Sequence, residues 1–217
     1  MKKIILLKGP GLLDYSEIAF LFESPDVSFE TIEINAFSSE HPRFSDLKFD
    51  GLIFGSPYFF SPEEALWVRL LSKKIAPLLD NCWESNAKVL AMGRGALVFW
   101  EWMLADRWKN WKVFESAGVD DSLIECEFFI RGEWKALRCG RFSTDFILPD
   151  TNDFTDWESF LRNSGNTLGW VTRNCYITLV DLLAFMNSAQ LESYGYSTDF
   201  EPGDFAGPII EDIFELK

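Results

Sequence analysis

The sequence predicts an α/β fold: a mostly parallel sheet covered by helices on both faces, with a small antiparallel insertion. Three observations carry this. Over the first hundred residues, short apolar runs alternate with stretches of helical periodicity, the pattern of parallel strands joined by helical crossovers. Between residues 122 and 149, three strand-like runs follow one another with no helix between them. The chain has 217 residues, of which 47% are hydrophobic, enough for one sizeable core.

The elements read in order as follows. "KKIILL" is a buried first strand closed by the loop "KGPG". "DYSEIAFLFES" places Ile18, Ala19, Leu21 and Phe22 on one helical face, with Asp14 as N-cap. "VSFETIEI" alternates polar and apolar residues, so it is a strand near a sheet edge. After the polar loop "HPRFSDLKFD", "GLIFG" is a buried strand. "SPEEALWVRLLSKKIAPLLDNC" is the clearest helix: Ser61 caps it, Pro62 suits its first turn, and Glu63 and Glu64 suit its positive end. "AKVLAM" is a strand that runs through a glycine turn into the helix "ALVFWEWML". "SLIECEFFI", "EWKALRCG" and "RFSTDFILP" form the antiparallel insertion. "DTNDFTDWESFLRN" reads as acidic and then briefly helical, "NTLGWVT" as a strand, and "ITLVDLLAFMNSAQ" as a helix. We divide the chain into a domain over 1–190 and an acidic, aromatic tail over 191–217 that wraps the surface.

Composition excludes several roles. The formal net charge of −14 repels phosphates and anionic lipid, which disfavours nucleic-acid and membrane-surface partners. No segment approaches the roughly 18 apolar residues of a membrane span. The apolar run Ile4 to Leu7 is too short for the core of a signal peptide. Cys82, Cys126, Cys139 and Cys175 match no zinc spacing, and the chain holds a single histidine, so neither a metal nor another cofactor is expected. The cysteines read as reduced thiols of a cytoplasmic protein.

The stretch "KVLAMGRGALVFW" raises the functional question. A strand, a tight turn and a helix make the junction where α/β enzymes place a nucleophile, yet this turn offers only Gly93, Arg94 and Gly95. Together with "IILLKGPG", "FDGLIFGSPYFF" and "SGNTLGWVTRNCYITLVDLL", it resembles the class I glutamine amidotransferases. Within them the chain looks most like the glutaminase subunit or domain of formylglycinamidine ribonucleotide synthetase, a purine-synthesis enzyme. The resemblance covers roughly residues 3 to 187, with "GNTLGWV" its most specific piece.

The resemblance implies a three-layer flavodoxin-like fold and a cysteine, histidine and glutamate that release ammonia from glutamine for a synthetase partner. A thiol on the elbow would be activated by the helix N-terminus and by the histidine base. Laid on this chain, the cysteine position falls on Gly93, the histidine position on Arg173 and the glutamate position on Cys175. The oxyanion loop falls on Gly55, Ser56 and Pro57, where a proline would remove a backbone N–H donor. The resemblance therefore implies a catalytically degenerate member acting as a structural or regulatory subunit.

Rival readings stand beside it. Arg94 and Arg173, if they meet at the carboxyl ends of adjacent strands, make an anion site; otherwise each pairs with an acidic side chain. Cys175 is either a relocated nucleophile with its pKa lowered by Arg173, or an inert buried thiol. His41, in "SSEHPRF", reads as an exposed turn residue. Asp150, Asp153 and Asp156 lie in a loop without the glycine and closing glutamate of an EF-hand calcium site, and read as a solvated segment capping a helix near Trp157. Trp100, Trp102, Trp108 and Trp111 are either core packing or a partner-binding patch. An enzyme of different hydrolase or amide-transfer chemistry in the same cleft, and a free-standing interaction module, are the two alternative functions.

Overall fold

The computed structural model describes residues 1–22, 24–39, 44, 47–56, 64–104, 112–115, 124–139, 145–148, 156–180, 182 and 203–216. Its centre is a sheet whose parallel half comprises β1 (Lys2–Lys8), β2 (Val27–Glu33), β3 (Gly51–Ser56), β4 (Lys88–Gly93) and β11 (Cys175–Thr178), in the order β2-β1-β3-β4-β11. The sheet continues from β11 through β10 (Asn166–Thr172), β9 (Glu158–Asn163), β6 (Ile124–Ile130) and β7 (Glu133–Cys139), all paired antiparallel. A separate pair joins β5 (Lys112–Glu115) to β8 (Asp145–Leu148).

Period-two alternation divides the parallel strands between two cores. Ile5, Leu7, Leu52, Phe54, Val89 and Ala91 face one side, against α2 (Glu64–Ser85) and α3 (Arg94–Leu104). Ile4, Leu6, Ile53, Leu90 and Met92 face the other, against Ile18 of α1 (Glu17–Phe22) and the buried side chains of α4 (Gly203–Phe214). This is the three-layer arrangement expected from the sequence. On α2 the buried residues Trp67, Val68, Leu71, Ile75, Leu78, Leu79 and Cys82 recur at helical spacing along one stripe. In α3, Ala96 through Trp100 are all buried, so this helix is core on every side. Its Trp100 therefore packs inside, edge-on to Trp170 at 5.6 Å, and offers nothing to a partner. Trp102 is half-buried and donates its indole N–H to Asp80 (2.9 Å), while Trp108 and Trp111 lie outside the described residues.

The structure corrects four readings. "ESFLRN" is the strand β9, so among the described residues no helix follows Trp157 for the acidic segment to cap. The cause is the two-residue turn after it: Ser164 and Gly165 both have positive φ (47° and 83°), the geometry that closes a tight hairpin onto β10. "CYIT" is the strand β11, although Ile177 and Thr178 read as the start of a helix. A short apolar run fits either state, and parallel pairing with β4 decides it. β5 was not expected at all. Within the segment read as a surface tail, residues 203–214 are the helix α4, and Ile209, Ile210, Ile213 and Phe214 are buried at i, i+1, i+4 and i+5. Ser61, Pro62, Glu63, His41, Asp150 and Asp153 lie outside the described residues.

Candidate functional site

β4 is buried along its length and ends on Gly93, whose φ of 57° is left-handed. The next residue, Arg94, already opens α3 and is itself buried. A side chain at Gly93 would bear a backbone strain of about 1–3 kcal/mol, the conformation in which an elbow projects its reactive group out of the sheet. Gly95 has a separate reason: a β-carbon there would lie 2.9 Å from the Phe54 carbonyl oxygen, so the glycine lets α3 sit down on β3. The glycine–arginine–glycine turn is thus a sharp strand-to-helix elbow.

Two strand ends flank the elbow. On one side, Ser56 of β3 lies in register with Gly93, next to Gly55; Pro57 lies outside the described residues. On the other side is β11, parallel to β4, with Thr178 beside Met92. Thr178 is fully buried, and its hydroxyl is already engaged: it accepts the Val180 N–H (3.0 Å) and donates to the Leu168 carbonyl (3.3 Å). The next two residues along the chain, Leu179 and Val180, are buried and apolar, and Asp181 lies outside the described residues.

Arg173 and Cys175 are elsewhere. They flank Asn174, in the turn from β10 to β11, at the end of the sheet where β4 begins. Cys175 is in register with Val89, and the rise of a strand separates Arg173 from Gly93 by roughly 20 Å. Arg94 and Arg173 therefore do not form a common anion site. Sequence reasoning took β10 to be the neighbour of the elbow strand, whereas the structure inserts β11 between them. The guanidinium of Arg173 instead stacks on Trp83 (4.4 Å from the ring centroid).

Cys175 is 1% exposed, and burial pushes its thiol up to about 12 despite the opposing pull of Arg173. Burial raises Cys82 as well, with the neighbouring Cys175 adding to the effect. A thiol so raised supplies no thiolate at neutral pH. Native protein at pH 7.5 is expected to take up iodoacetamide at Cys175 at least about 100-fold more slowly than urea-unfolded protein, read by peptide mass spectrometry; equal rates would restore the nucleophile reading. Because the folded-state pKa values exceed the unfolded ones, the folded state holds more protons above pH ~9, so these thiols cost stability as pH rises from there toward 12. The urea midpoint should fall more steeply between pH 8 and 10 in the native sequence than in a Cys82→Ala, Cys175→Ala double variant.

No family model matches this sequence, and no curated protein does. Solved structures do match. A glutamine amidotransferase from Thermotoga maritima superposes with a TM-score of 0.64 at 12% identity, covering 89% of this chain and 82% of that one. PurLQS from the same organism gives 0.64 at 11% identity, covering 99% and 98%. The chain has the class I glutamine amidotransferase fold. The glutaminase domain of Trypanosoma brucei CTPS, solved with bound acivicin, agrees, with a TM-score of 0.54 at 11% identity over 100% and 95% of the two chains. At such identities the likeness is one of fold, and the chemistry of this member of the glutamine amidotransferase fold rests on its own residues. Sequence reasoning found the elbow at Gly93 but missed Thr178, Leu179 and Val180, because a parallel neighbour leaves no mark in the local pattern.

Proposed function

We propose that this chain keeps the glutaminase scaffold without glutaminase chemistry, and that it serves as a cytoplasmic structural or regulatory subunit of a synthetase-like partner. The observation that carries the reading is an elbow of sharp geometry whose reactive position is Gly93, a residue with no side chain. Amide hydrolysis through a covalent intermediate needs a nucleophile with a base in hydrogen-bond reach. Among the described residues that follow the neighbouring strand β11, Leu179 and Val180 carry no group that accepts a proton. The sole histidine, His41, falls outside the described residues.

The synthetase-like partner is supported by the sequence resemblance and by the fold shared with PurLQS over 99% of the chain. Mixing the purified chain with a formylglycinamidine ribonucleotide synthetase and measuring co-elution by size exclusion tests it. A stable complex that leaves the ammonia-dependent reaction intact is the expected result. Separate elution at micromolar concentration would favour the free-standing interaction module instead.

A further inference from the structure

The strand order β2-β1-β3-β4-β11 reverses direction between β1 and β3. In open α/β sheets the crevice at the carboxyl ends of two such strands is where ligands usually bind, often on the loop that follows β1. Here that loop is residues 9–15, and it is tied down from three sides. From β3, the Gly55 carbonyl accepts the Leu13 N–H (2.9 Å). From α2, Trp67 lays its indole on the loop: its N–H donates to the Pro10 carbonyl (3.2 Å), and a β-carbon on Gly11 would lie 2.7 Å from that nitrogen. From β1, Lys8 pairs with Asp14 (3.6 Å), whose carboxylate accepts the Ser16 N–H (2.9 Å). Tyr15 fills what is left. It is 4% exposed, and a β-carbon on Gly55 would collide with its hydroxyl oxygen.

We infer that residues 9–15 are a clasp that holds the β1–β3 crevice shut against phosphate-bearing ligands, a property separate from the state of the elbow at Gly93. Two amide donors of the loop are engaged: the Leu12 N–H by the Gly9 carbonyl (2.9 Å) and the Leu13 N–H by Gly55. Asp14, near the end of the loop, is itself acidic. The space beside Gly55 belongs to Tyr15, and the space beside Gly11 to Trp67. Opening the crevice requires breaking the contacts to β3 and α2 together.

Amide hydrogen exchange of the full chain, followed residue by residue by NMR, tests this. In the native sequence the Leu13 amide is expected to exchange at least about 1,000-fold more slowly than an open loop. Trp67→Phe keeps a ring but removes the bond to Pro10. It should speed exchange at Leu12 and Leu13 at least about tenfold while leaving Val89 and Leu90 unchanged, the mark of local opening. Tyr15→Ala should have the larger local effect, and Trp67→Phe carries the test if that variant does not fold. Millimolar ATP or flavin mononucleotide should leave the signals of Gly9, Leu13 and Gly55 in place. An unprotected Leu13, no local acceleration in Trp67→Phe, equal acceleration at Leu13 and Leu90, or saturable shifts at Gly9 and Gly55 with either nucleotide would each overturn the clasp.

Discussion

A chain ending at residue 202 is expected not to fold. The missing piece, α4 with the turn after it, contributes Ile209, Ile210, Ile213, Phe214 and Leu216 to the core shared with β1, β3 and β4. Five such side chains at about 1.5–3 kcal/mol each amount to about 8–15 kcal/mol, as large as the whole stability of a typical domain. The helix end is also fastened: the Lys2 ammonium donates to the carbonyls of Phe214 (2.8 Å) and Glu215 (3.1 Å). The gentler version is Phe214→Ala. Its ring lies against Gly51, where a β-carbon would come within 2.6 Å of it, so truncation leaves a cavity under β3. The expected loss is about 3–5 kcal/mol by urea unfolding. A truncated chain that unfolds cooperatively at the native midpoint would show that α4 is the surface wrapping first read from its composition.

Asn174→Leu should cost nearly as much for a different reason. Asn174 is 5% exposed, and its amide donates to the carbonyls of Cys82 (3.0 Å) and Ala87. The Cys82 carbonyl lies in the last turn of α2, where helix carbonyls lack intrahelical partners. The Asn174 backbone carbonyl meanwhile accepts the Val89 N–H (3.0 Å). One residue thus ties the end of α2 to the starts of β4 and β11. Leucine fills a similar volume but leaves two buried acceptors unsatisfied, at about 1–3 kcal/mol each. The urea midpoint should fall by an amount worth about 2–6 kcal/mol, with an unchanged slope. A loss below about 1 kcal/mol would mean that the turn relaxes and rehydrates those carbonyls.

The parallel half of the fold was legible because its signals are local. Ile4 to Leu7 is a continuous apolar run, α2 carries a full helical stripe, and Gly93 to Gly95 mark a sharp turn after "KVLAM". What was not legible depends on partners distant in sequence. β11 is a strand because β4 and β10 lie beside it, and "CYITLVDLL" carries no preference strong enough to announce that. β9 hides behind an acidic segment, and its one local clue is the Ser164–Gly165 turn. α4 hides behind Gly203, Gly207 and Pro208, which dilute its helical period.

The same divide runs through the candidate site. The elbow follows from spacing and was found. Its neighbours follow from strand order, so Arg173 and Cys175 were assigned to the wrong end of the sheet. The correction removes two groups from the elbow, and among the described residues that follow β11, Leu179 and Val180 offer nothing that can take up a proton.

Glutamate release from glutamine, measured on the purified chain alone and with a synthetase partner, tests the central claim most directly. An elbow without a nucleophile predicts release at the rate of a protein-free control under both conditions. Release well above that control, saturable in glutamine and retained in a Gly93→Ala variant, would mean that the chain hydrolyses glutamine with residues other than those at the elbow, and would contradict the account.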